Sequence, residues 1–315
     1  MTSSTKRRLF QGIGAALAAV AMSATLAVNP ASASDGTPPV GITVPGEATG
    51  APAVLIASLE GRNEVTGGAP AGQALELIGI QGDTLTYSIS WRGIGTPTEA
   101  DIHSGARGVD GDVVVPLFTT PPNPTGGFAS GTVTADPDLL AELRSDPTGY
   151  YAHLHTTAFP AGATRAQLHP LTHPVATSGV AAVQESVVLG SQIYACTAQP
   201  DGSFVFTQLN VEARLTGGIH HTFVQPVAGP PQWQAPDGSA VTGKVVTKNS
   251  NGAGNIAELD LDATQIGAST GLLAHVVEVL RLNTVGGVAP AGTCDPQATP
   301  TVNVPYQADY VFING

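Results

Sequence analysis

The side chains with the widest chemical reach in this chain are three histidines and an aspartate, and their spacing fits strands. In the run Tyr151-Ala152-His153-Leu154-His155, alternation sends Tyr151, His153 and His155 to one side and Ala152 and Leu154 to the other. Asp101-Ile102-His103 repeats the pattern earlier in the chain. Pairing of the two segments would bring together four side chains able to ligate a metal or exchange protons. Neutral imidazoles suit zinc or copper, and Asp101 either ligates beside them or orients one of them. A plainer reading stands next to this one: histidines at the polar edge of a sheet donate to backbone carbonyls, and no cofactor is expected. Asp110 and Asp112 follow in a glycine turn. Without the ligand loop and closing glutamate of a calcium hand, they read as a solvated acidic turn.

Positioning these groups falls to short strands. The 315 residues include 38 Gly and 25 Pro and only 11% charged side chains, a mixture that favours strands joined by turns and hence a mainly β architecture. Leu85, Tyr87, Ile89 and Trp91 alternate with Thr86, Ser88 and Ser90, so this segment reads as a half-buried strand with Trp91 as a core anchor. Gln81-Gly82-Asp83 makes a hairpin turn between it and residues 73–80. Asp136-Pro137 opens a short helix through Leu139, Leu140 and Leu143, because aspartate caps a helix and proline suits its first turn. Residues 272–282 fit a helix by length and a strand by their valines.

Residues 1–33 read as an export signal, with a basic start at Lys6-Arg7-Arg8, an apolar run over 13–28 and small residues at Ala31-Ser32-Ala33 for cleavage. Arg7-Arg8-Leu9-Phe10 also fits the core of a twin-arginine signal. Residues 34–51 read as a flexible lead-in, 52–171 as a first domain and 172–315 as a second. Between the domains, the prolines of His169-Pro170-Leu171-Thr172-His173-Pro174 predict an extended linker with exposed histidines. A net charge of −12 excludes the basic footprint of a nucleic-acid binder. No run beyond the leader is long and apolar enough to span a bilayer, so the expected partner is an extracellular or cell-envelope component. Cys196 and Cys294 are the only cysteines, and an even pair in an exported chain predicts one disulfide.

Several fixed points in the first domain occur in a recognisable order. They are Leu59 with Asn63-Glu64-Val65, Thr84-Leu85-Thr86-Tyr87, Ile102-His103 with Gly105, and Gly111 with the run from Val113 to Leu117. Tyr151 follows, with His155-Thr156-Thr157-Ala158-Phe159-Pro160, Gly162, Arg165, Gln167 and Leu168. In these points the domain resembles the chordin-type, or CHRD, domain. The resemblance implies an immunoglobulin-like antiparallel sandwich without a settled molecular function. Members usually carry a histidine two before His103, where this chain has Asp101; His103 and His155 stand at family positions and His153 is an addition. In the second domain, Gln192-Ile193-Tyr194 with Cys196, Trp233, Asp237-Gly238-Ser239, Arg281-Leu282-Asn283-Thr284, Cys294 and Ala308-Asp309-Tyr310 resemble a secreted family known as domain of unknown function 3455. A β-rich sandwich or barrel is expected there.

The second domain also offers Asp237, Lys244, His221, His275, Arg281 and Asp309 as acid-base groups. It has no HExxH helix and no phosphate-cradling glycine loop, and neither a catalytic nor a cofactor-binding residue is assigned. Two readings of function follow. The first is an exported, non-catalytic, two-domain protein that binds a cell-envelope or extracellular partner. The alternative is a secreted metal-binding or metal-dependent protein using His103, His153, His155 and Asp101.

Overall fold

The computed structural model describes residues 37–42, 53–121, 126–173, 180–227 and 229–315. The export signal expected in residues 1–33 lies outside the described residues. Part of the segment read as a flexible lead-in is a strand, β1 (Thr37–Ile42), paired antiparallel with the second half of the chain.

The first half supplies β2 (Ala53–Glu60), β3 (Gln73–Gln81), β4 (Thr84–Arg92), β5 (Pro97–Ser104), β6 (Val113–Phe118), β7 (Phe128–Thr134), helix α1 (Pro137–Ser145), β8 (Tyr150–Thr156), β9 (Thr164–Gln167) and the short β10 (His169–Pro170). The main strands run in the order β6-β5-β8-β9-β2-β3-β4-β7, all antiparallel, with β10 added to β2. The sheet rolls until its end strands β6 and β7 approach one another, which makes a nearly closed barrel. Leu85, Tyr87, Ile89 and Trp91 point into it as their alternation predicts. Asp136 accepts from the Asp138 amide at 2.8 Å and starts α1, whose Leu140 and Leu143 are buried.

In the second half, β11 (Val180–Ala198), β12 (Phe204–Leu215), β13 (His220–Phe223), β14 (Pro231–Gln234), β15 (Ala240–Asn249), β16 (Glu258–Gln265), β17 (Val276–Gly286) and β18 (Thr301–Asn314) follow in sequence order, and β11 pairs back to β18. Eight antiparallel strands thus close into a barrel. The valines of β17 settle its form as strand, since their branched side chains pack better on a sheet than along a helix. Cys196 and Cys294 form the expected disulfide.

The run Ala74-Leu75-Glu76-Leu77-Ile78 shows why the barrels meet. Ala74 and Ile78 face the first core, whereas Leu75 and Leu77 on the outer face join Val54 and Ile56 against Ala182, Leu280, Leu282, Val311 and Ile313 of the second barrel. A strand apolar on both faces needs a cover on both. At the edge of this contact the buried Asp309 carboxylate accepts from Ser58 Oγ (2.8 Å), Gln184 Nε2 (3.2 Å), Ser186 Oγ (2.6 Å) and Asn283 Nδ2 (2.7 Å). The stretch read as an exposed linker joins this packing. His169 is buried in β10, where burial lowers its pKa, and the Thr172 and His173 amides donate to the buried Glu278. Among the described residues no helix is long and apolar enough to cross a membrane.

Glu76 shares the inward face of β3 with Ala74 and Ile78, and neither of its carboxyl oxygens has a hydrogen-bond partner among the described residues. Burial, with a smaller push from the Asp101 charge, raises its pKa from 4.5 to about 8. A pKa raised by folding contributes stability that is complete below the unfolded value and is lost as pH rises through the folded one. Relative to Glu76→Gln, the wild type should therefore lose up to about 1.4 kcal/mol of stability per pH unit across that window. Urea unfolding of both proteins between pH 4.5 and 9 checks this, and parallel curves would refute it.

Candidate metal centre

The two histidine segments do pair. In the β5–β8 ladder Asp101 stands opposite His153, His103 opposite Tyr151 and Glu99 opposite His155. Ala100, Ile102, Ala152 and Leu154 fill the barrel core, so the period of two drives Asp101, His103, His153 and His155 onto the outer face together. One ligand-capable atom from each of the four lies within 4.8 Å of the others. Asp101 is 1% exposed, whereas the His155 side chain keeps 13% of its surface and marks the outer rim.

Hydrogen bonds at the periphery fix each imidazole. His103 Nδ1 lies 2.8 Å from the Gly111 carbonyl and His155 Nδ1 lies 3.1 Å from the Pro160 carbonyl; a carbonyl only accepts, so both Nδ1 atoms carry hydrogen. His153 donates from Nε2 to Glu64 Oε2 at 3.2 Å. In the neutral rings this leaves His103 Nε2, His153 Nδ1 and His155 Nε2 as bare nitrogens directed inward. His103 Nε2 is 3.3 Å from His153 Nδ1 and 2.6 Å from Asp101 Oδ1, and His155 Nε2 is 3.5 Å from Asp101 Oδ2. Ligands about 2.0–2.1 Å from a tetrahedral zinc stand about 3.3 Å apart, so these separations suit one small cation.

The local field has the same sign. Burial works to raise the Asp101 carboxyl, but hydrogen bonds from His103 and His155 and their charge hold it below the usual range. Burial works downward on His103, and Asp101 and the Gly111 carbonyl outweigh it to raise the ring. His155 is raised chiefly by its hydrogen bond to Asp101, against desolvation. Converging lone pairs and a carboxylate demand positive charge, whether from protons or from a metal.

A layer of other side chains braces the centre. The Tyr151 ring stacks on His103 at 4.8 Å, and the Arg165 guanidinium lies 3.6 Å from the Tyr151 ring centroid on its way to Asp110 Oδ1 (2.8 Å). Gln167 Nε2 donates to the carbonyls of Gly105 and Thr148, each at 2.9 Å, which ties down the loop that carries Gly111.

Residues 55–168 match the CHRD domain family. The first barrel is a CHRD domain. Residues 212–314 match the family described as Protein of unknown function (DUF3455), so the two expected domains follow one another along the chain. No curated protein and no solved structure matches the chain.

Within the CHRD domain, several expectations change. The expectation of no cofactor is overturned by the convergence of Asp101, His103, His153 and His155 into a buried set with the donor types and spacing of a metal site. Asp101, which departs from the family's histidine, sits inside the set. Asp110, in the turn read as solvated, keeps an exposed side chain and pairs with Arg165. Glu64 is a site residue that the sequence reading left among marks of the fold. Its Oε1 is buried without a hydrogen-bond partner among the described residues, while its Oε2 holds His153. The Asn63-Glu64-Val65 motif was its one signal. In the DUF3455 domain the acid-base candidates do not gather. Asp237 accepts from the Ser239 and Leu272 amides, Asp309 serves the interface, and His221 and Arg281 line the barrel lumen.

Gly162 lets the turn after β8 pass over the centre. It has φ +142°, and a Cβ there would lie 2.3 Å from His153 Nε2 and 2.7 Å from Glu64 Oε2. Gly162→Ala should cost about 2–3 kcal/mol and break the His153–Glu64 contact. Urea unfolding with the His153 ring signals in NMR measures both effects, and an unchanged His153 spectrum would refute the account.

Proposed function

We propose that the CHRD domain is a non-catalytic metal-binding module that holds one first-row divalent ion, zinc or copper, through His103, His153, His155 and Asp101. The observation that carries this reading is the set of outer hydrogen bonds: each imidazole holds its outer nitrogen on Gly111, Glu64 or Pro160, which turns His103 Nε2, His153 Nδ1 and His155 Nε2 inward around Asp101, where they can ligate once deprotonated. Three imidazoles and one carboxylate, with no thiolate, match zinc or copper better than softer or harder ions. Four protein ligands also fill a tetrahedral shell, which favours holding a metal over activating water on it. The chain would act outside the cytoplasmic membrane, a reading supported by the signal-like Lys6-to-Ala33 leader and the disulfide. Envelope or extracellular material would be its surroundings, with no nucleic-acid role for a chain of this charge.

Elemental analysis of the dialysed protein and calorimetric titration with zinc and copper test the reading. One ion per chain is expected, lost in the His103→Ala/His155→Ala double variant. Glu64→Gln, which keeps the shape but weakens the hold on His153, should lower affinity about 10–100-fold. Absence of stoichiometric binding, or binding that survives the double variant, would overturn the proposal.

A further inference from the structure

The lumen of the DUF3455 barrel is a second and separate site. A cleft of about 670 Å³ at its mouth and a chamber of about 170 Å³ below share Gln192, Gln208, Val245, Leu259 and Arg281 as lining. All eight strands of the closed barrel contribute to the chamber, which is therefore the barrel's interior. Its walls are aromatic and aliphatic: His221 stacks on Trp233 at 4.5 Å, and Phe223, Tyr310, Val211 and Leu261 complete the lining.

Two buried donors in this lining lack an acceptor among the described residues. Gln208 Nε2 donates to Gln192 Oε1 at 2.9 Å, which leaves the Gln192 amide nitrogen, in a residue 3% exposed, without an acceptor among the described residues. Trp233 Nε1, buried in the chamber wall, likewise has none. Arg281 uses Nε and Nη2 on the Ala257 carbonyl at 3.1 and 2.8 Å and also reaches the Tyr310 hydroxyl, and no carboxylate pairs with it among the described residues. Lys248 stands at the mouth, and neither lining includes an aspartate or glutamate, in a chain with twice as many acidic as basic residues. Burial keeps His221 neutral, lowering its pKa to about 3, so it adds a flat ring rather than a charge. Buried donors without acceptors are costly to keep, and a ligand oxygen satisfies them.

We propose that this lumen binds a small amphipathic carboxylate. The ligand's flat or aliphatic body lies against Trp233, His221 and Phe223, and its carboxylate meets Arg281 and the Gln192 amide, with Lys248 at the entrance. Exposed Val245 and Val288 at the rim extend the apolar path inward. Arginine supplies the planar donor pair that a carboxylate takes. The site shares no residue with the metal centre, and the two proposals stand or fall independently.

Calorimetry on the full chain with cinnamate, cinnamamide and cinnamylamine, which share one body and differ in head charge, tests the idea. Cinnamate should bind with a Kd below about 1 mM, at least about tenfold tighter than the amide, and the amine should not bind. In ¹⁵N–¹H spectra the Trp233 indole signal should shift on adding cinnamate and the Trp91 signal should stay. Arg281→Met should abolish the preference for cinnamate over cinnamamide. Because Arg281 also anchors Ala257, the exposed Lys248→Gln variant supplies a second arm, with a severalfold loss for cinnamate alone. No binding of cinnamate by about 1 mM, equal binding of the amine, a shift at Trp91 instead of Trp233, or unchanged preference in both variants would overturn the proposal.

Discussion

A carboxylate buried between two barrels must be satisfied completely or it drives them apart, and Asp309 meets that condition with four donors drawn from both. Asn283 is the branching point of this network. Its side chain donates to Asp309 and to the Ser58 carbonyl and accepts from Asn63, and it takes the left-handed φ of +51° that asparagine tolerates. Asn63 precedes Glu64, so the interface fixes the turn that orients His153. A second tether, Arg107 to Glu258 at 2.7 Å, holds the loop bearing Gly111, the acceptor for His103. The DUF3455 barrel thus holds the outer supports of a centre whose four converging side chains all lie in the CHRD domain.

The two barrels divide their chemistry by side of the sheet. The CHRD barrel is packed inside with aliphatic and aromatic side chains, and even its interior Glu76 is held toward neutrality, so its chemistry is displaced to the outer face of β5 and β8. The DUF3455 barrel closes fully and keeps space within, so its chemistry lies inside. The first surface concentrates lone pairs and a carboxylate, which attract cations. The second lines a cavity with N–H groups and two cationic side chains, which attract anions. Opposite preferences can coexist in one acidic molecule because burial shields each site from the overall charge.

Local signals in the sequence were enough for the convergence of Asp101, His103, His153 and His155 and not for its surroundings. Alternation in Asp101-Ile102-His103 and in Tyr151 to His155 fixed which side chains share a face, because a strand's period leaves no other choice. The Gln81 to Thr84 hairpin, the Asp136 cap and the Cys196–Cys294 bridge were equally local or forced by count. Glu64 was out of reach because it meets His153 across 89 positions, through a turn that carries no periodic pattern. The docking of His169 and Thr172 against the second barrel was missed for a related reason. Closely spaced prolines report extended backbone, and an extended chain can run along a surface as readily as through solvent. Barrel closure through β11 and β18 likewise joins segments with no local mark of each other.

The first described strand has a consequence for how copies of the molecule behave toward one another. β18 covers one side of β11 along much of its length, and β12 covers the other side only from Val187 onward. Between Val180 and Gln184 that second side is taken by β1. Without β1, the backbone amides and carbonyls of this stretch would form an open template onto which another chain could add a strand. Residues 37–42 therefore cover a strand edge that a chain cut beyond them would expose.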